Sequence, residues 1–393
     1  MGLMRRVAAL LLAIAALLYA VPAEAAPPAW QPVAKVGGIF DVGGPRKDGW
    51  LVVAGSGRLF LVDPQGAVTP FAQGPGGYAD DPGGEAYLTV SPGLHPGGPG
   101  CDFQAGDVYV LRLHAPLGIT RVDVQGHKTA FATIPGVQSL NGIAFDTVGF
   151  FGHRLLVTGS AGAGKTEVAA VDCNGGVTVL TRSAPVVEGG LAVAPLAFST
   201  FGGELIAPDE LSGNIYAIDA HGVSTLIARS GLPTGGDIGV EGVGFVPQGF
   251  MAGGSVFYAD RVTRGNPHPG TDNLLRLTAA DLSSAGVQEG DMLAVTEGGA
   301  AVITVRCGAA CTVTPVIAHA TKAHGEGHLV FTLDAPQASP SPSSNPSPSL
   351  TPSVSPSPNP RPTPQSPAAF LAIIVVLVVL GAGALAVVRA RWR

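Results

Sequence analysis

No Cys-x-x-Cys pair occurs in the 393 residues, and there are four cysteines in all. The absence of that pair argues against a zinc knuckle or ribbon built on paired Cys-x-x-Cys thiolates. There is no Gly-x-Ser-x-Gly elbow, and no Ser–His–Asp set can be assigned from spacing. Residues 26–334 contain no convincing amphipathic helix longer than a turn or two, except at 279–285, so a helical bundle is excluded. An excess of basic charge is also missing. Of 22 Lys and Arg, the two chain ends hold Arg5, Arg6, Arg389, Arg391 and Arg393, and of 28 Asp and Glu they hold only Glu24, so the remainder carries about −10. Such a surface repels nucleic acid and suits cations or neutral small molecules.

The ends of the chain are apolar. Arg5 and Arg6 precede an apolar run at 8–20 and the small-x-small site Ala23-Glu24-Ala25, the pattern of a removable secretory signal over residues 1–25. Residues 368–388 contain no charge and would make roughly 31 Å of helix, enough to span a bilayer once. The basic tail at 389–393 places the C-terminus inside the cell and the body outside. Residues 335–367 are almost wholly Pro, Ser, Thr and Asn. Pro fixes φ and lacks an N–H, so this stretch reads as an extended stalk. Residues 26–334 are then an extracellular ectodomain on a single-pass membrane anchor. The cysteines fit an oxidising compartment. Three pairings are open; the preferred one joins Cys307 to Cys311 and Cys101 to Cys173.

The ectodomain is rich in Gly and in short Val/Ile/Leu/Tyr runs, which reads as all-β. A repeat runs through it, at 60–69, 120–129, 169–178 and 216–224. Each copy is a strand ending in Asp (Asp63, Asp123, Asp172, Asp219), a tight turn, a Gly and a return strand. The Asp side chain can bond backbone N–H groups in the turn, and Gly takes the left-handed position that closes it. Two further strands precede each hairpin, for example at 142–145 and 154–158. Four strands at a period of about 50 residues predict a β-propeller, with room for six blades. Residues 30–36 read as an outer strand that completes the last blade and closes the ring.

The hairpins, together with Leu140-Asn141-Gly142-Ile143-Ala144 and residues 212–219, resemble six-bladed propellers of the gluconolactonase and NHL-repeat kind. In the gluconolactonase family a divalent metal sits at one mouth of the channel, held by Glu, Asn and Asp side chains. Asn141 matches that pattern; the Glu residues here match it less cleanly.

The residues before each innermost strand point to the same place. Glu85, Asn141, Glu188, Glu241 and Glu289 each precede a short apolar run, with Gly37 in the equivalent place of the first blade. Carboxylates gathered around one mouth repel one another unless a cation sits among them, and calcium accepts 6–8 oxygen ligands in loose geometry. A rim of solvated side chains is the alternative. A second candidate is His319, His324, Glu326 and His328. The last three alternate, so on a strand they would share a face and could hold zinc or copper; otherwise they mark an exposed strand leading into the stalk. Residues 159–166 fit the P-loop pattern by letter, but the following 167–171 read as a strand, so no helix N-terminus would face a phosphate and nucleotide binding is not expected. Residues 266–270 form a Pro-stiffened loop of the kind that contacts ligands.

Two functions remain: a surface propeller that binds a small extracellular ligand or a surface protein, with calcium at its mouth, or a metal-dependent hydrolase or sugar oxidoreductase. For either, protease added outside intact cells should release a fragment ending within 335–367. Protection of the ectodomain until lysis would refute this topology.

Overall fold

A computed structural model of the protein describes residues 27–96, 100–318 and 320–333. The signal (1–25), His319, the stalk (335–367), the membrane span (368–388) and the tail (389–393) lie outside the described residues. Among those described, no helix is long and apolar enough to cross a membrane.

Six four-stranded antiparallel sheets make the blades of a propeller. Blade one is β2 (Ile39–Gly43), β3 (Leu51–Gly55), β4 (Arg58–Val62) and β5 (Val68–Phe71), from the axis outward. Blade two is β6 (Leu88–Val90), β7 (Val108–Arg112), β8 (Gly118–Val122) and β9 (Lys128–Thr133). Blade three is β10 (Leu140–Phe145), β11 (Leu155–Gly162), β12 (Lys165–Val171) and β13 (Val177–Ala184). Blade four is β14 (Ala192–Val193), β15 (Leu205–Asp209), β16 (Asn214–Ile218) and β17 (Ser224–Arg229). The third-to-fourth strand turns are built as their sequence implies. In each, the Asp Oδ1 accepts from two backbone N–H groups two and four residues on, at 2.8–2.9 Å.

The last two blades depart from the regular spacing, because the chain interleaves them. After β18 (Val240–Phe245), the inner strand of blade five, it crosses to blade six and lays down β19 (Ser255–Asp260) and β20 (Asn273–Thr278). Helix α1 (Ala279–Ser284) follows, opened by a capping box between Thr278 and Asp281. The chain then returns to blade five for β21 (Met292–Thr296), β22 (Val302–Cys307) and β23 (Cys311–Ile317), and ends as β24 (Gly325–Thr332), the inner strand of blade six. The outer strand of blade six is β1 (Gln31–Lys35), paired antiparallel with β20. The N-terminal strand therefore closes the ring, as expected. All the described strands and both disulfides lie within residues 31–332, and these strands alone make up the six blades.

This interleaving corrects the reading of Glu289. The run after it, β21, is a second strand and pairs with β18 so that Phe245 faces Met292 and Val240 faces Thr296. Glu289 therefore lies at the opposite end of the sheet from Glu241, where it accepts from Met251 N at 3.1 Å.

Cys101–Cys173 joins the β6–β7 loop of blade two to the β12–β13 turn of blade three, and Cys307–Cys311 closes the β22–β23 hairpin. Residues 159–166, which match the P-loop pattern by letter, form the β11–β12 hairpin, with no helix to receive a phosphate.

The inner strands converge closely at the axis. A Cβ on Gly190 would lie 2.3 Å from Gly327 O, and one on Gly327, where φ is +72°, would lie 2.2 Å from Asp41 Oδ1. Glycine is required at both positions by space. The carboxylate of Asp41, fully buried in β2, accepts from Val42 N, from Leu88 N of blade two and from His328 N of blade six. The His328 ring bonds Asp41 Oδ2 through Nδ1 at 2.9 Å and Ile143 O of blade three through Nε2 at 2.8 Å. Burial disfavours the imidazolium, but the Asp41 charge, its hydrogen bond and the Ile143 carbonyl outweigh this and hold the His328 pKa above its ordinary value. Asp41→Asn keeps the shape and removes the charge. It should cost about 3–5 kcal/mol in denaturant unfolding, as for a broken buried pair. A loss below about 1 kcal/mol would show that the knot at the axis is not held by charge.

Candidate metal centre at the channel mouth

Two rows of loops meet on one face of the ring. The starts of the inner strands supply Asn141, Glu188, Glu241 and Glu326, with Glu85 ahead of β6. The loops between second and third strands supply Glu210 in blade four, Glu297 in blade five and Arg261 in blade six. Both rows fall on one face because the inner strand runs away from it and the second strand runs back toward it.

Glu297, His324 and Glu326 form the tightest group. One ligand atom from each lies within 4.8 Å of the others, and all three residues are buried. His324 Nε2 is 2.9 Å from Glu297 Oε1 and 3.5 Å from Glu326 Oε1. Its Nδ1 is buried and has no partner among the described residues. Burial lowers the His324 pKa, but bonds and attraction to the two carboxylates raise it to about 9. A proton on Nε2 thus stands where a cation can bridge the three side chains. Glu326 also takes Arg261 Nη1 at 3.1 Å, and the same nitrogen reaches Glu85 at 3.0 Å. Arg261 is held over the Phe40 ring, 5.3 Å from its centroid.

Further carboxylates crowd this group. Glu241 is 2 % exposed and accepts from Tyr87 Oη at 2.8 Å and Gly327 N at 3.2 Å. Burial, then repulsion from Glu326 and Glu297, raises its pKa well above the usual range. Burial raises Glu210 too, joined by a hydrogen bond and repulsion from Glu297. Glu188 is pushed up to about 7 by burial and by repulsion from Glu210 and Glu85. Arg261 and His324 are the basic side chains that face this group, His324 on Glu297 and Glu326, and Arg261 on Glu326. The fold therefore concentrates negative charge that protons must neutralise when no cation does.

A pocket of about 300 Å³ opens over Glu297, His324 and Glu326, edged by Arg261, Thr263, Arg264 and Asp237. The 266–270 loop stands beside it, pinned by His268 Nδ1 to Thr321 O at 2.7 Å and by Asn266 Nδ2 to Asp237 O at 3.2 Å.

The two candidate sets read from the sequence thus share one mouth. Glu85, Glu188, Glu241, His324 and Glu326 come together there. Asn141 lies on the same face, accepting from Ser139 Oγ at 2.8 Å. Glu289 does not belong, and His319 lies outside the described residues. His328 also leaves the set. In β24 the pairing with β19 jumps from Glu326 to Val330 across two β19 residues, a bulge at Gly327 that breaks the alternation and turns His328 to Asp41. Nor is β24 an exposed strand leading into the stalk: it is the buried inner strand of blade six. Glu210, Glu297 and Arg261 went unread, since they follow second strands and carry no repeat of their own.

No family model matches the chain, and no curated protein matches it. Solved structures do. Virginiamycin B lyase from Staphylococcus aureus aligns at 12% identity and TM-score 0.42, over 78% of this chain and 96% of that one. A gluconolactonase from Xanthomonas campestris aligns at 16% identity and TM-score 0.34, over 59% and 69%. A protein of unknown function from Bacteroides thetaiotaomicron aligns at 10% identity and TM-score 0.44, over 77% and 66%. The likeness is one of fold.

Glu188 and His324 set a pH dependence. A raised carboxylate pKa means that the metal-free fold holds a proton the unfolded chain releases, so stability falls as pH rises from the unfolded value of about 4.5 to about 7. The His324 contribution is full below about 6.5 and is lost as pH rises through about 9. Both run the same way. The melting temperature of chelator-treated ectodomain should fall steadily from pH 5 to 9; a flat profile would contradict the crowding of charge described here.

Proposed function

We propose that this chain is an exported, membrane-anchored propeller that holds a divalent cation at its channel mouth and uses the cation's open side to bind a small oxygen-rich extracellular ligand. One observation carries the reading: Glu297, His324 and Glu326 converge within 4.8 Å under an open pocket, and burial and mutual repulsion raise the proton affinity of Glu188, Glu210 and Glu241 nearby. Export and anchoring rest on the sequence of the two chain ends.

The donor set fits a divalent ion. Carboxylates supply the charge, and the imidazole Nε2 already faces two of them. Calcium or manganese suits the oxygens; the nitrogen donor suits zinc better. When bound, the cation would polarise an oxygen of the ligand. Arg264, exposed at the pocket edge, can meet an anionic part of that ligand, while Arg261 is spent on Glu85 and Glu326.

A second reading, metal-dependent hydrolysis, is favoured by Glu188. A carboxylate with a pKa of about 7 can take a proton near neutrality, as a general base must. Three protein ligands with an open side also suit catalysis. Glu188→Gln would separate the readings: under hydrolysis, turnover of small lactones and esters is lost while metal content stays.

Elemental analysis of the purified ectodomain should find about one divalent ion per chain. Added calcium, manganese or zinc should raise the melting temperature of stripped protein by mass action. Replacing Glu297 and Glu326 together by Gln should abolish that rise. No co-purifying metal, with a melting temperature that ignores all three ions, would leave a protonated acidic rim and refute the reading.

A further inference from the structure

The central channel is not continuous. His328 crosses it, tied to Asp41 on one side and to Ile143 O on the other. Beyond this bar, on the face opposite the carboxylates, the channel widens into a cavity of about 680 Å³. All six blades line it at the far ends of their inner strands, with Pro45, Val90, Phe145, Val193, Phe245 and Phe331 among the lining residues. That volume falls in the range of small-molecule sites. Among the described residues no Asp, Glu, Lys or Arg lines it, and both ring nitrogens of the His328 that floors it are already hydrogen-bonded. The apolar lining continues outward onto the rim. Phe150 and Leu196 are 47% and 67% exposed, on the loops that contribute Val148 and Pro195 to the wall.

We propose that this chamber is a second binding site, independent of the metal centre, for a neutral apolar small molecule. A charged ligand would lose its hydration and find no counter-charge, whereas an apolar one gains about 25 cal/mol per Å² of surface removed from water. The chain itself offers no suitable filler close by. Residues 335–367, which follow β24, are mostly Pro, Ser, Thr and Asn, and apart from Pro their apolar residues are two Ala, Leu350 and Val354. A second copy would have to insert a protruding apolar segment into the ring, which a flat ring-to-ring contact does not do.

The test is titration of the secreted ectodomain, residues 27–333, with the neutral fluorophore N-phenyl-1-naphthylamine. Binding should saturate at about one probe per chain and should not change with chelator. Val193→Trp, which fills the chamber, and Ala197→Asp, which puts a charge at its exposed edge, should each weaken binding by about tenfold or more. Crystals soaked in 1-bromonaphthalene should show the bromine between Val193 and Phe331, which decides the matter even if a variant fails to fold. Non-saturating fluorescence, wild-type binding by both variants, or bromine elsewhere would overturn the proposal. So would an ectodomain that dimerises through this face and is split by the probe.

Discussion

One buried carboxylate holds the centre of the ring together. Asp41 accepts backbone hydrogens from its own blade, from Leu88 of blade two and from His328 of blade six, and through the His328 ring it reaches Ile143 of blade three. Four blades that share no sheet are thereby referred to a single point. The geometry depends on two glycines, because any side chain at Gly190 or Gly327 would force the inner strands apart. A buried charge is costly unless it is paired and fully hydrogen-bonded, and Asp41 is both. The same bar also separates two environments that could not share one space: a crowd of buried carboxylates above it and a chamber without carboxylates below.

The mouth works on the opposite principle. There, carboxylates are brought together with too few cations, and burial and mutual repulsion raise their proton affinity. The strain is tolerable because the backbone of each contributor is fixed elsewhere. Glu241 and Glu326 sit on inner strands, and Glu210 and Glu297 on short connections between paired strands. A scaffold held rigid by its sheets can hold unfavourable charges at fixed separations.

The parts of this structure that were legible in the sequence are those with a local, repeating cause. The Asp63, Asp123, Asp172 and Asp219 turns each need an acceptor at one position and a left-handed residue three on, so the pattern is written in ten residues. The closing strand at 30–36 was legible because it resembles other outer strands. Glu289 was misplaced because its distance from Glu241 matched the repeat while the chain had in fact crossed into blade six. The inner strand of that blade begins with Glu326-Gly327, the dipeptide also found at Glu188-Gly189 and Glu241-Gly242, 85 residues after Glu241 rather than about 50. Glu210 has no such dipeptide, and the one at Glu297-Gly298 follows a second strand rather than opening an inner one. Their position depends on which strands pair, a non-local fact.

The crossing of the last two blades has a consequence for the order in which the molecule comes into being. The chain emerges from its N-terminus, so β1 appears first, yet its partner β20 follows only some 240 residues later. Blade five stays open until blade six has been started, and blade six is finished only by the final strand. That strand carries Glu326 and His328, with His324 just ahead of it. A chain interrupted anywhere upstream has neither the axial bar nor the centre of the mouth. The acidic mouth is therefore assembled only in molecules whose last blade has closed, long after most of its carboxylates have been made.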